Sequence, residues 1–433
     1  MAIVYVVGAG LAGLAAATAA AAAGRHVVLL EMARHAGGRC RTFHDPTLDR
    51  RIDNGNHLIL SGNGDVTRYL DRIGGRGRLI ELAPARFPFV DLTTGERWTV
   101  APNAGPVPWW LLAKGRRPKG ADLVSLLRGA KFLTAGSEAR VADLLPADDP
   151  AFRRFWEPLA VGVLNTRAEA GAATLLRPVL LETFAKGEAH CRPLLATTGL
   201  GDALVEPAVE QLRRQGASVH FGARVEALSF AGERVTGLRS AGAWLPLEAH
   251  DALVLATPPW ATAALVPGLT GPMAFAPILN VHFKIDRLHV ERPSLLGVIG
   301  GLTQWVFRRH DVAAVTVSAA EAVIDEPADR LAASIWPEVR TALELSPALP
   351  VPPFRLVKER RATPVQTPRA AAQRWQPRTA WSNLTLAGDW TATGLPATIE
   401  SAVRSGHVAA QLLMKRSHAA LQQEALAVAG QRP

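Results

Sequence analysis

The sequence predicts an α/β chain in which a discontinuous Rossmann-like domain carries an inserted mixed α/β domain. Three observations predict it. A strand, a glycine-rich turn, a helix and a second strand follow one another within residues 3–31. A second strand-turn-helix cluster lies at 384–413, near the other end of the chain. Between them the pattern shifts to helical apolar spacing at 123–133 and 151–164, then to strand-rich runs after Gly271. A length of 433 residues accommodates two or three compact units.

The first unit opens with the β-branched and aromatic run Ile3–Val7, with no positively charged leader before it. Gly8-Ala9-Gly10-Leu11-Ala12-Gly13 follows, a helix extends to about Ala23, and Val27–Leu30 closes on Glu31. Gly8 allows a tight turn, Gly10 lets the backbone approach a pyrophosphate at the helix N-terminus, and Gly13 permits close packing of helix on strand. Glu31, 18 residues after Gly13, is placed to accept a ribose hydroxyl. A glycine turn alone joins elements in many folds; motif, flanking elements and acid together indicate a dinucleotide. The Leu11–Ala23 run is apolar but shorter than the roughly 20 residues that cross a bilayer, and reads as a buried helix.

Arg34-His35-Ala36-Gly37-Gly38-Arg39-Cys40-Arg41 comes next, then Ile52-Asp53-Asn54-Gly55-Asn56-His57. With these segments the chain resembles the FAD-dependent amine oxidase and carotenoid desaturase superfamily. The resemblance implies FAD and an amine oxidase-like architecture. Arg39 or Arg41 offers a multi-donor fork for phosphate, or forms an exposed basic turn. Asp53 and His57 are the candidate catalytic groups. A single histidine without a paired nucleophile is equally a satisfied interior residue.

Pro108-Trp109-Trp110-Leu111-Leu112 precedes Lys114, Arg116, Arg117 and Lys119. This aromatic knob beside cations reads either as a contact with an anionic membrane surface or as a packing element with a basic end. Phe155-Trp156-Glu157-Pro158-Leu159 runs on to Leu164-Asn165-Thr166. Here the chain resembles the hydroxysqualene dehydroxylase family, whose proline after Asn-Thr is replaced by Arg167.

Gly199-Leu200-Gly201-Asp202 leads through a helix to Leu212, a strand at Val219–Phe221, and Arg224-Val225. The superfamily resemblance puts the backbone of Val225 at the adenine end of FAD. Ala387-Gly388-Asp389-Trp390 and Ala397-Thr398-Ile399-Glu400 form the C-terminal cluster. Gly388 and Asp389 are implied beside the diphosphate or ribityl chain, and Thr398 and Ile399 beside the flavin. Asp389 also reads as a cap, and Glu400 as a solvated first-turn acid. The implied cofactor contacts are thus Gly8, Gly10, Leu11, Ala12, Gly13, Glu31, Gly37, Gly38, Arg39, Val225, Gly388, Asp389, Thr398 and Ile399.

The organisation expected is an FAD-binding domain from 1–85, 196–265 and 376–415. A substrate domain comes from 86–195, largely helical, and 266–375, strand-rich, with a tail at 416–433. Composition excludes bulk disorder, with 48% apolar and 20% charged residues. The net charge of +10 is scattered, which argues against a nucleic-acid partner. Cys40 and Cys191 supply neither a disulfide framework nor a thiolate metal site, so no metal is expected and a reducing, cytoplasmic compartment is. No Ser-His-Asp pattern supports a hydrolase.

The resemblance implies that hydroxysqualene, a long-chain isoprenoid, loses water to leave an allylic cation and receives hydride from reduced FAD, giving squalene for hopanoid biosynthesis. A separate electron donor is then required. The expected location is peripheral, on the inner face of the cell membrane. Alternatives are a carotenoid desaturase, an amine oxidase, or a non-catalytic flavin-binding assembly protein at a membrane.

Overall fold

A computed structural model describes residues 2–269, 274–286 and 290–429, with side chains described to Lys415. Met1, Gly271 and the last four residues of the expected tail lie outside the described residues. The chain begins in a five-stranded sheet, all parallel, in the order Ser218–Phe221, His26–Glu31, Ile3–Val7, Ala252–Leu255, Leu384–Leu386. Three distant stretches of sequence therefore build one sheet. Its central strands read as continuous apolar runs because both faces are covered.

On one face lies the helix Leu11–Ala22, and across it the C-terminal helix from Ile399. Alanines explain the crossing. A Cβ on Gly406 would stand 2.2 Å from the Ala12 carbonyl oxygen, so these helices approach to backbone distance. The antiparallel strands Val225–Ala231, Arg234–Ser240 and Ala243–Pro246 form the other layer, burying Val225, Val235 and Leu238 with Tyr5, Leu30 and Leu255. The backbone of 416–429, expected as a separate tail, continues the C-terminal helix to Ala429. No helix among the described residues is long and apolar enough to cross a membrane.

The second unit is a seven-stranded mixed sheet, ordered Phe354–Pro364, Phe275–Lys284, Val312–Ser318, Trp305–His310, Val290–Ile299, Phe87–Asp91, Arg97–Val100. The last two strands come from the start of 86–195, whose elements from Trp109 to His190 are helical. Phe89 lies over Gly297, where a Cβ would meet the ring at 2.2 Å, so aromatic packing recruits this early segment to the late sheet. Alternation divides the faces. Leu279, Val281 and Phe283 pack against the helix Ala328–Ala342, whereas Asn280 and His282 point the other way.

The expected helix over 123–133 is a helical turn at Leu123–Leu127 that tightens into a 3-10 stretch, Arg128–Thr134. Its Gly129 admits the Trp156 indole, which would be 1.9 Å from a Cβ. The expected helix over 151–164 begins as a wide π turn before Glu157–Leu164. The tryptophan pair separates. Trp110 is 4% exposed and packs by Phe155 and Phe184, while Trp109 is 47% exposed, with the Arg116 guanidinium 4.9 Å from its ring centre. A joint lipid-facing role for both rings is therefore corrected: Trp110 is core.

Asn165 ends the Glu157–Leu164 helix in a left-handed conformation (φ 46°), which asparagine tolerates. Its amide donates to the Ala276 carbonyl and Thr363 Oγ1, each at 3.0 Å, and its oxygen accepts from Ala319 N at 2.7 Å. Gln366 continues the junction, donating to the Leu164 carbonyl and accepting from Arg374 and from Ala397 N. Arg167, in the place of proline, is 74% exposed on its side chain and pairs at 3.5 Å with Glu169 at the surface. This departure leaves the buried junction intact. Asn165→Ala strands buried partners on two strands, so a loss of about 2–3 kcal/mol in unfolding free energy is expected by urea titration. Arg167→Pro is expected to change it by under about 1 kcal/mol.

Candidate cofactor cradle and active site

The glycine turn is shaped by the protein at two positions and left open at a third. Gly8 has φ +101°, and a Cβ there would be 2.6 Å from the Ala256 carbonyl oxygen; on Gly13 it would be 1.8 Å from the Gly8 oxygen. On Gly10 it would meet nothing within 4 Å. The loop thus closes on itself around Gly8 and Gly13 and faces free space at Gly10. Leu11 and Ala12 begin the helix, buried, with no side-chain cap and no acid in the first turn. Uncapped first-turn N–H groups and the helix dipole favour an anion. Glu31 braces the loop, accepting from Ala9 N at 2.7 Å and Ala33 N at 2.8 Å. Ala223 N donates to the Glu31 carbonyl, which brings the buried Val225 to this end of the cleft.

Gly37 and Gly38, both at positive φ, fold back over the turn: Gly37 N donates to the Ala9 carbonyl, and a Cβ on Gly38 would be 3.6 Å from Gly10 Cα. The 3-10 turn Gly38–Cys40 then directs Arg39 inward. Its two terminal nitrogens donate to Asp389 at 2.7 and 2.9 Å, and one also to the Ala362 carbonyl at 2.5 Å. Asp389 is buried, whereas the Arg39 side chain keeps 43% of its surface accessible inside the cleft. Burial works against this guanidinium, and the Asp389 charge more than restores it, raising its pKa. Arg374, near the same carboxylate, is held by the Leu395 carbonyl and Gln366. Burial pulls its pKa down, against Asp389.

Gly388 N donates to Ser405 Oγ at 2.8 Å, and a Cβ there would strike the Trp390 indole at 2.2 Å. Thr398 caps the C-terminal helix, accepting from Ser401 N, and Ile399 starts it. Glu400 corrects the expectation of a solvated acid. It is buried, and its two oxygens accept from Asp65 N and Val66 N at 2.9 Å each, capping the helix Gly64–Ile73. Asn63, a good capping residue by sequence, instead accepts from Leu60 N, which leaves the helix end to Glu400.

A polar corner closes the cleft. A Cβ on Gly55 would lie 3.5 Å from both His57 Nε2 and Asn280 Nδ2. Asn280 Oδ1 accepts from Asn56 N and Nδ2 at 3.3 Å and from Thr316 Oγ1 at 3.0 Å. His57 is half-buried; burial first, then Arg39, lowers its pKa to about 4, so its imidazole is neutral at pH 7. Both Asp53 oxygens are engaged: one accepts from Thr42 Oγ1 and Leu200 N, the other from Arg309 at 2.9 Å. The carboxylate thereby links the strand Arg50–Asp53 to the strand Trp305–His310 of the seven-stranded sheet. His282 is also neutral, lowered to about 4 by burial, and its Nε2 has no partner. Trp305 pairs with Thr316, and Phe307 with Ala314 beside His282, so both rings share the sheet face of this corner. Leu58, Leu159 and Val163 are half-buried on the same core cluster as those rings. Sequence reasoning missed Asn280, His282, Thr316 and Arg309; the signal was polar residues at alternate positions of otherwise apolar strands.

The chain matches the family described as flavin containing amine oxidoreductase over residues 11–414. It is 41% identical to a hydroxysqualene dehydroxylase of Sinorhizobium fredii, covering 96% of this chain and 99% of the relative. A hydroxysqualene dehydroxylase of Rhodopseudomonas palustris is also 41% identical, with 96% and 99% covered. Among solved structures, a putrescine oxidase variant from a redesign of cofactor binding superposes with a TM-score of 0.68 at 16% identity, covering 96% of this chain and 99% of that one. That likeness concerns the fold.

The two neutral histidines make the protein acid-sensitive. The unfolded chain takes up their protons from about pH 6.5, the folded chain only near about pH 4, so stability falls as pH drops through that window. Ring-carbon NMR shifts of both residues are expected to titrate near pH 4. Urea unfolding at stepped pH should show a shallower acid loss in the double variant His57→Gln, His282→Gln; an unchanged slope would assign the loss to other groups.

Proposed function

The chain belongs to the flavin containing amine oxidoreductase family, among its hydroxysqualene dehydroxylases, and on that premise we propose that it reduces hydroxysqualene to squalene. FAD is the cofactor, and the cradle fits it. The uncapped helix at Leu11–Gly13 and the free space at Gly10 suit a pyrophosphate, Glu31 keeps acceptor capacity for a ribose, and Arg39 with Asp389 lines the path to the polar corner. Gly37, Gly38, Val225, Gly388, Thr398 and Ile399 complete the proposed contacts.

The observation that carries this reading is one polar corner in an otherwise hydrocarbon wall. His57 and Asn56 meet Asn280 and Thr316 on the sheet face that also carries Trp305 and Phe307, with the apolar Leu58 next in the chain. That pattern matches a long apolar molecule with a single hydroxyl. An amine substrate would place a cation beside Arg39, and a fully unsaturated hydrocarbon would leave the corner unused.

Reduced FAD supplies the hydride. In the balanced reaction, hydroxysqualene and reduced FAD give squalene, oxidised FAD and water: a C–O bond breaks and a C–H bond forms. His57, neutral at pH 7, donates an N–H hydrogen bond to the departing oxygen and is the proposed catalytic residue. Asn56, held by Asn280 and Thr316, positions that oxygen. Asp53 positions the loop through Arg309. The apolar wall excludes water from the allylic carbon, which would otherwise recapture hydroxide.

The proposed division keeps 1–85, 196–265 and 376–415 as the cofactor domain, with 86–195 and 266–375 as the substrate domain. A separate reductase or pyridine nucleotide restores reduced FAD, and the enzyme works peripherally at the inner face of the cell membrane. Anaerobic incubation with reduced FAD and hydroxysqualene is expected to yield squalene. Unchanged hydroxysqualene with FAD bound would overturn the reading, and turnover of phytoene or of amines would support the desaturase or oxidase alternative. His57→Gln should retain FAD, read by absorbance, and lose about 100-fold or more in single-turnover rate.

A further inference from the structure

Three short elements of the substrate domain each show one apolar residue to the core and the next to solvent. Trp110, Leu126 and Leu180 belong to a single buried cluster, while their neighbours Trp109, Leu127 and Leu181 are exposed. Val107, Leu112 and Val124, on the same elements, are 70%, 66% and 63% exposed. The elements adjoin: the Trp110 ring packs on Phe184, just beyond the helix Leu176–Glu182, and a Cβ on Gly187 would be 2.3 Å from the Gly105 oxygen. Six large exposed apolar side chains thus lie on or beside elements that share one core cluster. Elsewhere among the described residues the exposed large apolar side chains are Met32, Trp244, Leu245 and Val351. Clustering of this kind marks a docking surface.

Charge identifies what docks. Residues 104–136 contain Lys114, Arg116, Arg117, Lys119, Arg128 and Lys131 against the single acid Asp122. Lys119 pairs with Glu96 and Arg128 with Asp149, which leaves Lys114, Arg116, Arg117 and Lys131 as the excess positive charge. A second copy of the chain would bring like charge to like charge across this face. A lipid surface with anionic headgroups satisfies both parts, taking the apolar side chains at the acyl boundary and the cations at the phosphates. We propose that Val107, Trp109, Leu112, Val124, Leu127 and Leu181, rimmed by these cations, dock the enzyme on an anionic bilayer. This deepens the functional reading and rests on it. Leu58, Leu159, Trp305 and Phe307 pack on the same core cluster as the buried neighbours of these residues.

Holoenzyme is tested by co-sedimentation with vesicles of equal parts phosphatidylglycerol and phosphatidylcholine, and with pure phosphatidylcholine. Binding to the anionic vesicles is expected, about tenfold weaker to the neutral ones and weakened by salt. The triple variant Val107→Ser, Leu112→Ser, Leu127→Ser should lose about tenfold or more in binding, with unchanged melting temperature and unchanged turnover of detergent-dispersed hydroxysqualene. If that variant misfolds, Lys114→Glu with Lys131→Glu provides the test, with a similar loss confined to anionic vesicles. Equal binding by a folded variant, or self-association through this face in sedimentation velocity, overturns the dock. Vesicle binding without turnover of dispersed substrate leaves the dock standing and sinks the functional reading instead.

Discussion

The bidentate pair between Arg39 and Asp389 is the contact on which the cofactor cleft depends. It joins residues 350 positions apart, and a third bond from Arg39 reaches the carbonyl of Ala362 in the substrate sheet. One guanidinium therefore holds the N-terminal turn, the C-terminal turn and the substrate domain in register. A planar fork suits this task because two parallel bonds fix direction as well as distance. Removal of either partner would leave the other as an uncompensated charge in the cleft.

Two further junctions repeat the solution with different chemistry. Asn165 and Gln366 join the helical insert to the substrate sheet and to Ala397 through neutral hydrogen bonds. Glu400 joins the C-terminal helix to the helix Gly64–Ile73 by capping it from outside. Asn165 bridges 111 to 198 residues of chain and Glu400 bridges 335, each through a buried polar side chain with several partners. Such networks are costly when incomplete and specific when satisfied. They also account for the Leu-Asn-Thr segment that carries the family resemblance: its polar residues form a joint.

Much of the cofactor domain was legible in the sequence because its signals are local. The turn at Gly8–Gly13 constrains backbone through steric exclusion by near neighbours, and the continuous runs Ile3–Val7 and Ala252–Leu255 announce strands covered on both faces. The polar corner was not legible. Asn280, His282 and Thr316 are ordinary residues in apolar strands until pairing brings them to Asn56 and His57. Trp109 and Trp110 were likewise indistinguishable in sequence; one residue step within a 3-10 turn separates solvent from core.

The sequence by itself determined the α/β class, the dinucleotide turn and the family, since each rests on neighbouring residues and their order. Only the tertiary structure decided that Asp53 is a paired tie to Arg309, that Glu400 is a buried cap, and that the early strands Phe87–Asp91 and Arg97–Val100 complete a late sheet. The physical reason is partner choice. A carboxylate's role depends on which donors surround it, and here those donors lie 335 residues away along the chain for Glu400's Asp65 and 256 for Asp53's Arg309. Local sequence sets what a residue is able to bind, and folding sets what it meets.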